Sequence, residues 1–224
     1  MNTTQSTSNR TNWAIDYDDV EPIRIRDPVA ETLAILPPGE PFVIGYADVV
    51  LAAGHSCPTA SGAYRITQLG LEALYPDEQP VRGEIEVFVG GAKDDPADGV
   101  TSRIVSFITG AAEEDGFRGL AGGYGGREDL LHFDADIGER DGSDTDGPTV
   151  VFRRTDTGEA VSVTYHANDV PPAGAAAQYL PELIDGTATE EERAAFAAAW
   201  HDRVRTVLSD DDLFTVERVD VDTT

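Results

Sequence analysis

The chain reads as an α+β protein: a mixed, largely antiparallel sheet backed by helices. Three observations carry that expectation. Gly83 to Val89 alternates Ile85, Val87 and Val89 with Glu84, Glu86 and Phe88, the period of a strand. Val150–Phe152 and Ala160–Tyr165 flank Thr155-Asp156-Thr157-Gly158, a hairpin signal of consecutive antiparallel strands. Helical stripes lie before and after these strands rather than alternating with each of them, which separates α+β from α/β.

The elements follow in order. Residues 1–12 are rich in Asn, Thr and Ser and read as a disordered tail, leaving 13–224 as a single domain. Asp27-Pro28 can cap and open a short helix through Val29, Leu33 and Leu36, which Pro37-Pro38-Gly39 must end. Residues 42–53 carry Tyr46, Val49, Val50 and Ala53 at helical spacing, with Gly54 as the stop. A second helix is expected from Pro58 to Tyr75, ending before Pro76. Val100 to Ala111 is a further helix, buried on Ile104, Val105 and Ile108. The glycine-rich run 116–127 is open to two readings, a flexible loop or one that packs over a site. Leu130–Phe133 is a short strand, and 138–148 an acidic loop whose Asp141, Asp144 and Asp146 lack the glutamate of a calcium-binding hand. After a linker at Val170–Ala173, Gln178–Ile184 is a short helix. Thr189-x-x-Glu192 is a capping box that opens a long helix bearing Phe196, Ala197, Trp200, Val204, Val207 and Leu208. Thr215–Val221 reads as a terminal strand.

Composition narrows the function. With 42 acidic and 16 basic residues the formal net charge is −26, and Lys93 is the only lysine. The acids are scattered rather than blocked, the pattern of a hydrated surface adapted to a salt-rich cytoplasm. Phosphate-backbone binding needs basic patches, so nucleic acid is disfavoured as a partner. No apolar run approaches the ~20 residues that span a bilayer, and no secretory signal opens the chain. A cytoplasmic protein is expected.

The chemical signal is Gly54-His55-Ser56-Cys57-Pro58, which holds the one cysteine of the chain. Pro58 at the first turn puts Cys57 at a helix N-terminus, where the dipole favours an anionic sulfur. An imidazole two residues away makes His55 and Cys57 a candidate pair of ligands for zinc or another divalent transition metal. Zinc takes three or four ligands. Of the remaining histidines, His166 at the end of the second hairpin strand is the first choice for a third, then His132; His201 sits on the edge of a helical stripe. The metal-free alternative makes Cys57 a catalytic nucleophile with His55 or His166 as its base. A structural reading, with Cys57 a small buried hydrophobe, also stands. Tyr64 reads as packing, and Arg65 as an anion binder or the partner of an acid.

The Gly54-His55-x-Cys57-Pro58 turn, followed by Gly62, Tyr64 and Arg65, resembles the FmdE family of formylmethanofuran dehydrogenase proteins. The resemblance covers roughly residues 42–165 and leaves a helical extension at about 174–209. It implies an α+β domain of a class similar to the catalytic domain of glyceraldehyde-3-phosphate dehydrogenases. It also implies a metal, usually zinc, at His55 and Cys57, and a homodimer; a small-molecule ligand or a non-catalytic assembly role are both compatible. Two positions depart from that pattern: Ala53 stands where a second histidine is common, and Ala111 where a cysteine follows Thr109-Gly110. With a single cysteine, a downstream zinc ribbon is excluded.

Overall fold

The computed structural model describes residues 11–135 and 147–220. Most of the expected N-terminal tail, most of the acidic loop with its three aspartates, and Val221, the last residue of the expected terminal strand, lie outside them. The chain opens with β1 (Ile23–Ile25) and α1 (Pro28–Thr32). Asp27 caps α1 by accepting from the amides of Val29 and Ala30. β2 (Phe42–Ile44) pairs antiparallel with β1. The helix expected over 42–53 is therefore divided: Phe42–Ile44 is strand, and only α2 (Tyr46–Ala53) is helical. Gly45, extended at the N-cap, makes the break, and its amide donates to Asp48.

α3 (Pro58–Leu74) is the central helix, ending on Tyr75 before Pro76 as its prolines dictate. β3 (Ile85–Val89) turns Ile85, Val87 and Val89 into the core. α4 (Pro96–Thr109) starts four residues earlier than expected. Its signal is Asp95-Pro96: the aspartate side chain accepts from the amides of Ala97 and Asp98, and proline occupies the first turn. Short β4 (Leu131–His132) follows, then the hairpin β5 (Thr149–Arg154) and β6 (Ala160–Tyr165), the short α5 (Leu180–Ile184), α6 (Glu190–Ser209) and β7 (Phe214–Val219). The predicted capping box at Thr189 and Glu192 is formed.

The larger sheet has the order β4-β3-β5-β6-β7, with every neighbour antiparallel except β3–β4. This is the mixed, largely antiparallel sheet that the sequence predicts. α3 packs against β5, β6 and β7, with α4 and α6 beside it. Two glycines let α3 lie this close. A Cβ on Gly62 would stand 2.5 Å from the Tyr165 ring, and one on Gly70 2.4 Å from the Phe152 ring. Both rings belong to the hairpin, so these glycines set the distance between helix and sheet. On α6 only Val204, Val207 and Leu208 of the predicted stripe are buried; Ala197 is exposed and Phe196 half-buried, stacked on Trp200.

Candidate functional site

The 54–58 turn is assembled from three helices. Gly54 takes the left-handed conformation, φ 77°, that ends α2, and its amide donates to the Val50 carbonyl. The chain then extends to Cys57, the N-cap of α3 (φ −154°, ψ 166°). The Ala60 amide donates to Cys57 Sγ at 3.4 Å, and the Cys57 carbonyl accepts from the Ser61 amide and hydroxyl. Cysteine thus does at this cap what serine or aspartate commonly does: its side chain satisfies an otherwise orphaned helix amide. Ser56 is gripped from both sides. Its hydroxyl lies 3.0 Å from the Tyr46 hydroxyl, and its carbonyl accepts from Trp200 Nε1 at 2.8 Å. α6 therefore belongs to the site, through a residue that the sequence places only in an apolar stripe.

The sulfur is half-buried and packs against the core. Tyr46 and Tyr165 are buried tyrosines, and on the second the Arg203 charge acts against the effect of burial. Burial holds both phenols well above the ordinary range, so each is a hydrogen-bond donor at neutral pH. Tyr46 has Ser56 as its partner. The Tyr165 hydroxyl is buried and has no partner among the described residues.

The four histidines are dispersed. His55 is exposed, with Nδ1 3.1 Å from the Ala53 carbonyl oxygen. A ring nitrogen can only donate to a carbonyl, so Nδ1 carries the proton, and in the neutral ring Nε2 keeps the lone pair. His55 lines a pocket of about 230 Å³ with Arg103 and Phe107 between α2 and α4, and Cys57 is not among the lining residues. His166 Nε2 is 2.7 Å from the Thr215 hydroxyl at the start of β7. His132 bonds to Glu86 at 2.8 Å and stacks on Phe88. His201 lies on α6, where burial and then the Arg205 charge lower its pKa. Among the described residues no three His, Cys, Asp or Glu side chains gather as a metal ion requires. His55, Cys57 and His166 are thus not brought together as one ligand set, and His166 is engaged with Thr215 of β7.

The remaining candidates fall into place. Tyr64 is packing, its hydroxyl donating to the Glu21 and Ile44 carbonyls. Arg65 pairs with Asp211 and Gln68. The glycine-rich run packs against α1, with Gly125 against Val29 and Arg127 bonded to Asp27 at 2.6 Å.

The family model described as FmdE, molybdenum formylmethanofuran dehydrogenase operon, matches residues 52–215. The chain belongs to the FmdE family. The match begins just before the Gly-His-x-Cys-Pro turn of this FmdE-family chain and runs through α6 to the start of β7. It therefore spans both the turn and Trp200, which holds it. A comparison with curated proteins finds no match. No helix among the described residues is long and apolar enough to cross a membrane.

Proposed function

We propose that the 54–58 turn is the functional centre of this FmdE-family protein, and that the Cys57 sulfur is the atom that engages its ligand, a small molecule. One observation carries the reading. Sγ sits at the N-cap of a seventeen-residue helix, accepts the Ala60 amide, and is half-buried on a turn clamped by Tyr46 and Trp200. Capping alone accounts for the amide contact; what goes beyond it is that Cys57 stays partly accessible on a turn whose neighbouring residue, Ser56, is held by Tyr46 and Trp200. The amide and the helix dipole both favour negative charge developing on sulfur as it attacks or coordinates. The test is alkylation by iodoacetamide in molar KCl. Cys57 is expected to react faster than free cysteine at neutral pH, with all labelling lost in Cys57→Ser. A rate at least tenfold below that of free cysteine would assign the residue to packing.

A second reading is a metal site, zinc or another divalent transition metal, at the same turn. The His55 tautomer favours it: a ligating histidine commonly donates its other ring nitrogen to a backbone carbonyl, as His55 does to Ala53. His55 Nε2 and Cys57 Sγ are two donors where zinc takes three or four. The described residues of one chain thus do not fit a complete zinc site. The remaining positions would fall to solvent, to a ligand or to a second copy in a homodimer. Elemental analysis of the purified protein, with and without His55→Ala, decides this reading. Stoichiometric metal lost in His55→Ala supports it, and absence of metal after dialysis against zinc ends it.

A further inference from the structure

The cavity beside His55 is set apart by its lining. One stripe of α4 builds a wall of it: Val100, Arg103, Ile104 and Phe107 recur at the i, i+3, i+4, i+7 spacing of a single helical face. The C-terminal end of α2 supplies Ala53, and His55 follows past the Gly54 turn. Local bonds fix both walls. The Phe107 and Ile108 carbonyls accept from Arg82, which anchors the last turn of α4. Gly54 closes α2 on the Val50 carbonyl, and His55 is tied through Nδ1 to the Ala53 carbonyl. The space is therefore formed before a ligand arrives, which lowers the cost of binding.

Charge distinguishes this cavity from two larger ones. A cavity of about 660 Å³ is lined by Asp16 and Asp18, and one of about 370 Å³ by Asp19 and Glu21. The cavity of about 230 Å³ has no acidic residue in its lining, although the chain holds 42 acids. Its polar side chains are His55 and Arg103. With the Nδ1 proton of His55 committed to Ala53, Arg103 supplies the donors left for a ligand, and it is charged at any working pH. No ion pair among the described residues already claims its guanidinium. Phe107, one turn further along α4, is 42% exposed and leaves an apolar ring surface open.

A cation among apolar walls, with no carboxylate in the lining to neutralise it, selects an anion that has an apolar body. An apolar cavity of about 150 Å³ suffices to hold benzene. About 230 Å³ thus admits one ring together with a carboxylate. The guanidinium fork matches the two oxygens of that group. We infer that this cavity is a binding site for a small monocarboxylate whose apolar body is no larger than a single ring. The carboxylate pairs with Arg103, and the body lies against Val100, Ile104 and Phe107. The site is independent of Cys57, which does not line it.

Benzoate is the probe, with benzyl alcohol as the same ring without the charge and acetate as the same charge without the ring. Ligand-observed NMR titration in molar KCl reads the three dissociation constants. Benzoate is expected to bind at least tenfold tighter than either. Arg103→Gln should weaken benzoate about tenfold, roughly the worth of one charge-assisted hydrogen bond, and leave benzyl alcohol within about twofold. Ala52→Leu enlarges an exposed alanine of the lining and should abolish benzoate binding by filling the space. Both positions are exposed, so both variants should keep the wild-type thermal midpoint. Cys57→Ser should bind benzoate as wild type does. Benzoate no tighter than benzyl alcohol, or unchanged by Arg103→Gln, overturns the carboxylate assignment. Binding that survives Ala52→Leu, or that is lost in Cys57→Ser, overturns its location.

Discussion

Asp27 is the residue whose loss the fold should tolerate least. It is 3% exposed and does two jobs with two oxygens. Oδ1 accepts from the amides of Val29 and Ala30 at 3.0 and 3.2 Å, capping α1. Oδ2 accepts from Arg127 at 2.6 Å and lies 3.6 Å from Arg82. Both guanidiniums are largely buried, and Arg82 is further tied to the carbonyls of Phe107 and Ile108 at the end of α4. Burial, and then the charge of Arg127, push the Arg82 pKa down, so the pair is costly unless the carboxylate is present. One side chain thus joins α1, the end of α4 and the glycine-rich run. Asp27→Asn keeps a capping oxygen and removes the charge. Breaking a buried ion pair from one side costs about 3–5 kcal/mol. Asp27→Ala also removes the cap, for about 1 kcal/mol more. Against a typical total of ~5–15 kcal/mol, either change consumes a large share of the stability. Urea unfolding in molar KCl measures both. Adding Arg127→Met to Asp27→Asn should recover at least ~1 kcal/mol, because one stranded guanidinium is then gone. An Asp27→Asn variant within ~0.5 kcal/mol of wild type would refute the argument.

Other outcomes follow from the same structure. Gly70→Ala gains about 1 kcal/mol of helix propensity but drives a methyl to 2.4 Å from the buried Phe152 ring, so calorimetry should show a net loss of stability. A charge of −26 repels itself when unscreened, and the thermal midpoint should rise from dilute buffer to molar KCl; equal midpoints would remove the salt-adaptation argument. Burial raises the pKa of Tyr46, Tyr64, Tyr75 and Tyr165 above the unfolded value of about 10. Their contribution is complete below that pH and lost as pH rises beyond it, so phenolate absorbance should emerge together with unfolding. His201 is shifted the other way, which favours its neutral form in the fold. Its contribution is present above the unfolded pKa near 6.5 and lost as pH falls, and His201→Gln should flatten stability between about pH 7 and pH 5.

Local punctuation makes much of the fold legible. Pro58 and Pro76 bracket α3, Gly54 and Gly110 end α2 and α4 in the left-handed conformation, and Thr189 with Glu192 opens α6. Each of these signals acts within a few residues, so it survives being read one segment at a time. β1 and β2 are three residues each and exist only because they pair with one another. Phe42-Val43-Ile44 adjoins a helical stripe, and in isolation its apolar residues extend that stripe. The early start of α4 is written in Asp95-Pro96, a cap that an acidic stretch conceals.

The site divides along the same line. The Gly-His-x-Cys-Pro turn is contiguous, and so the sequence locates it; what surrounds the sulfur is not contiguous. His166 is the natural third ligand on chemistry alone, yet its neighbour Tyr165 is the residue that points into the sheet–helix interface. Alternation along β6 decides this: Val161, Val163 and Tyr165 face α3, and His166, leaving the strand, turns to Thr215. Gly62 has the same history. In the sequence it is a helix-weakening residue within a motif, with no visible reason to be there. In the fold it is where the Tyr165 ring from β6 packs against α3, close to the helix's N-terminal end. A larger residue at 62 would force the ring away from α3. The stretch from Cys57 to Gly62 thus acquires a physical meaning: the helix offers the sulfur at its cap and, just beyond one turn, the gap that seats a ring from the sheet.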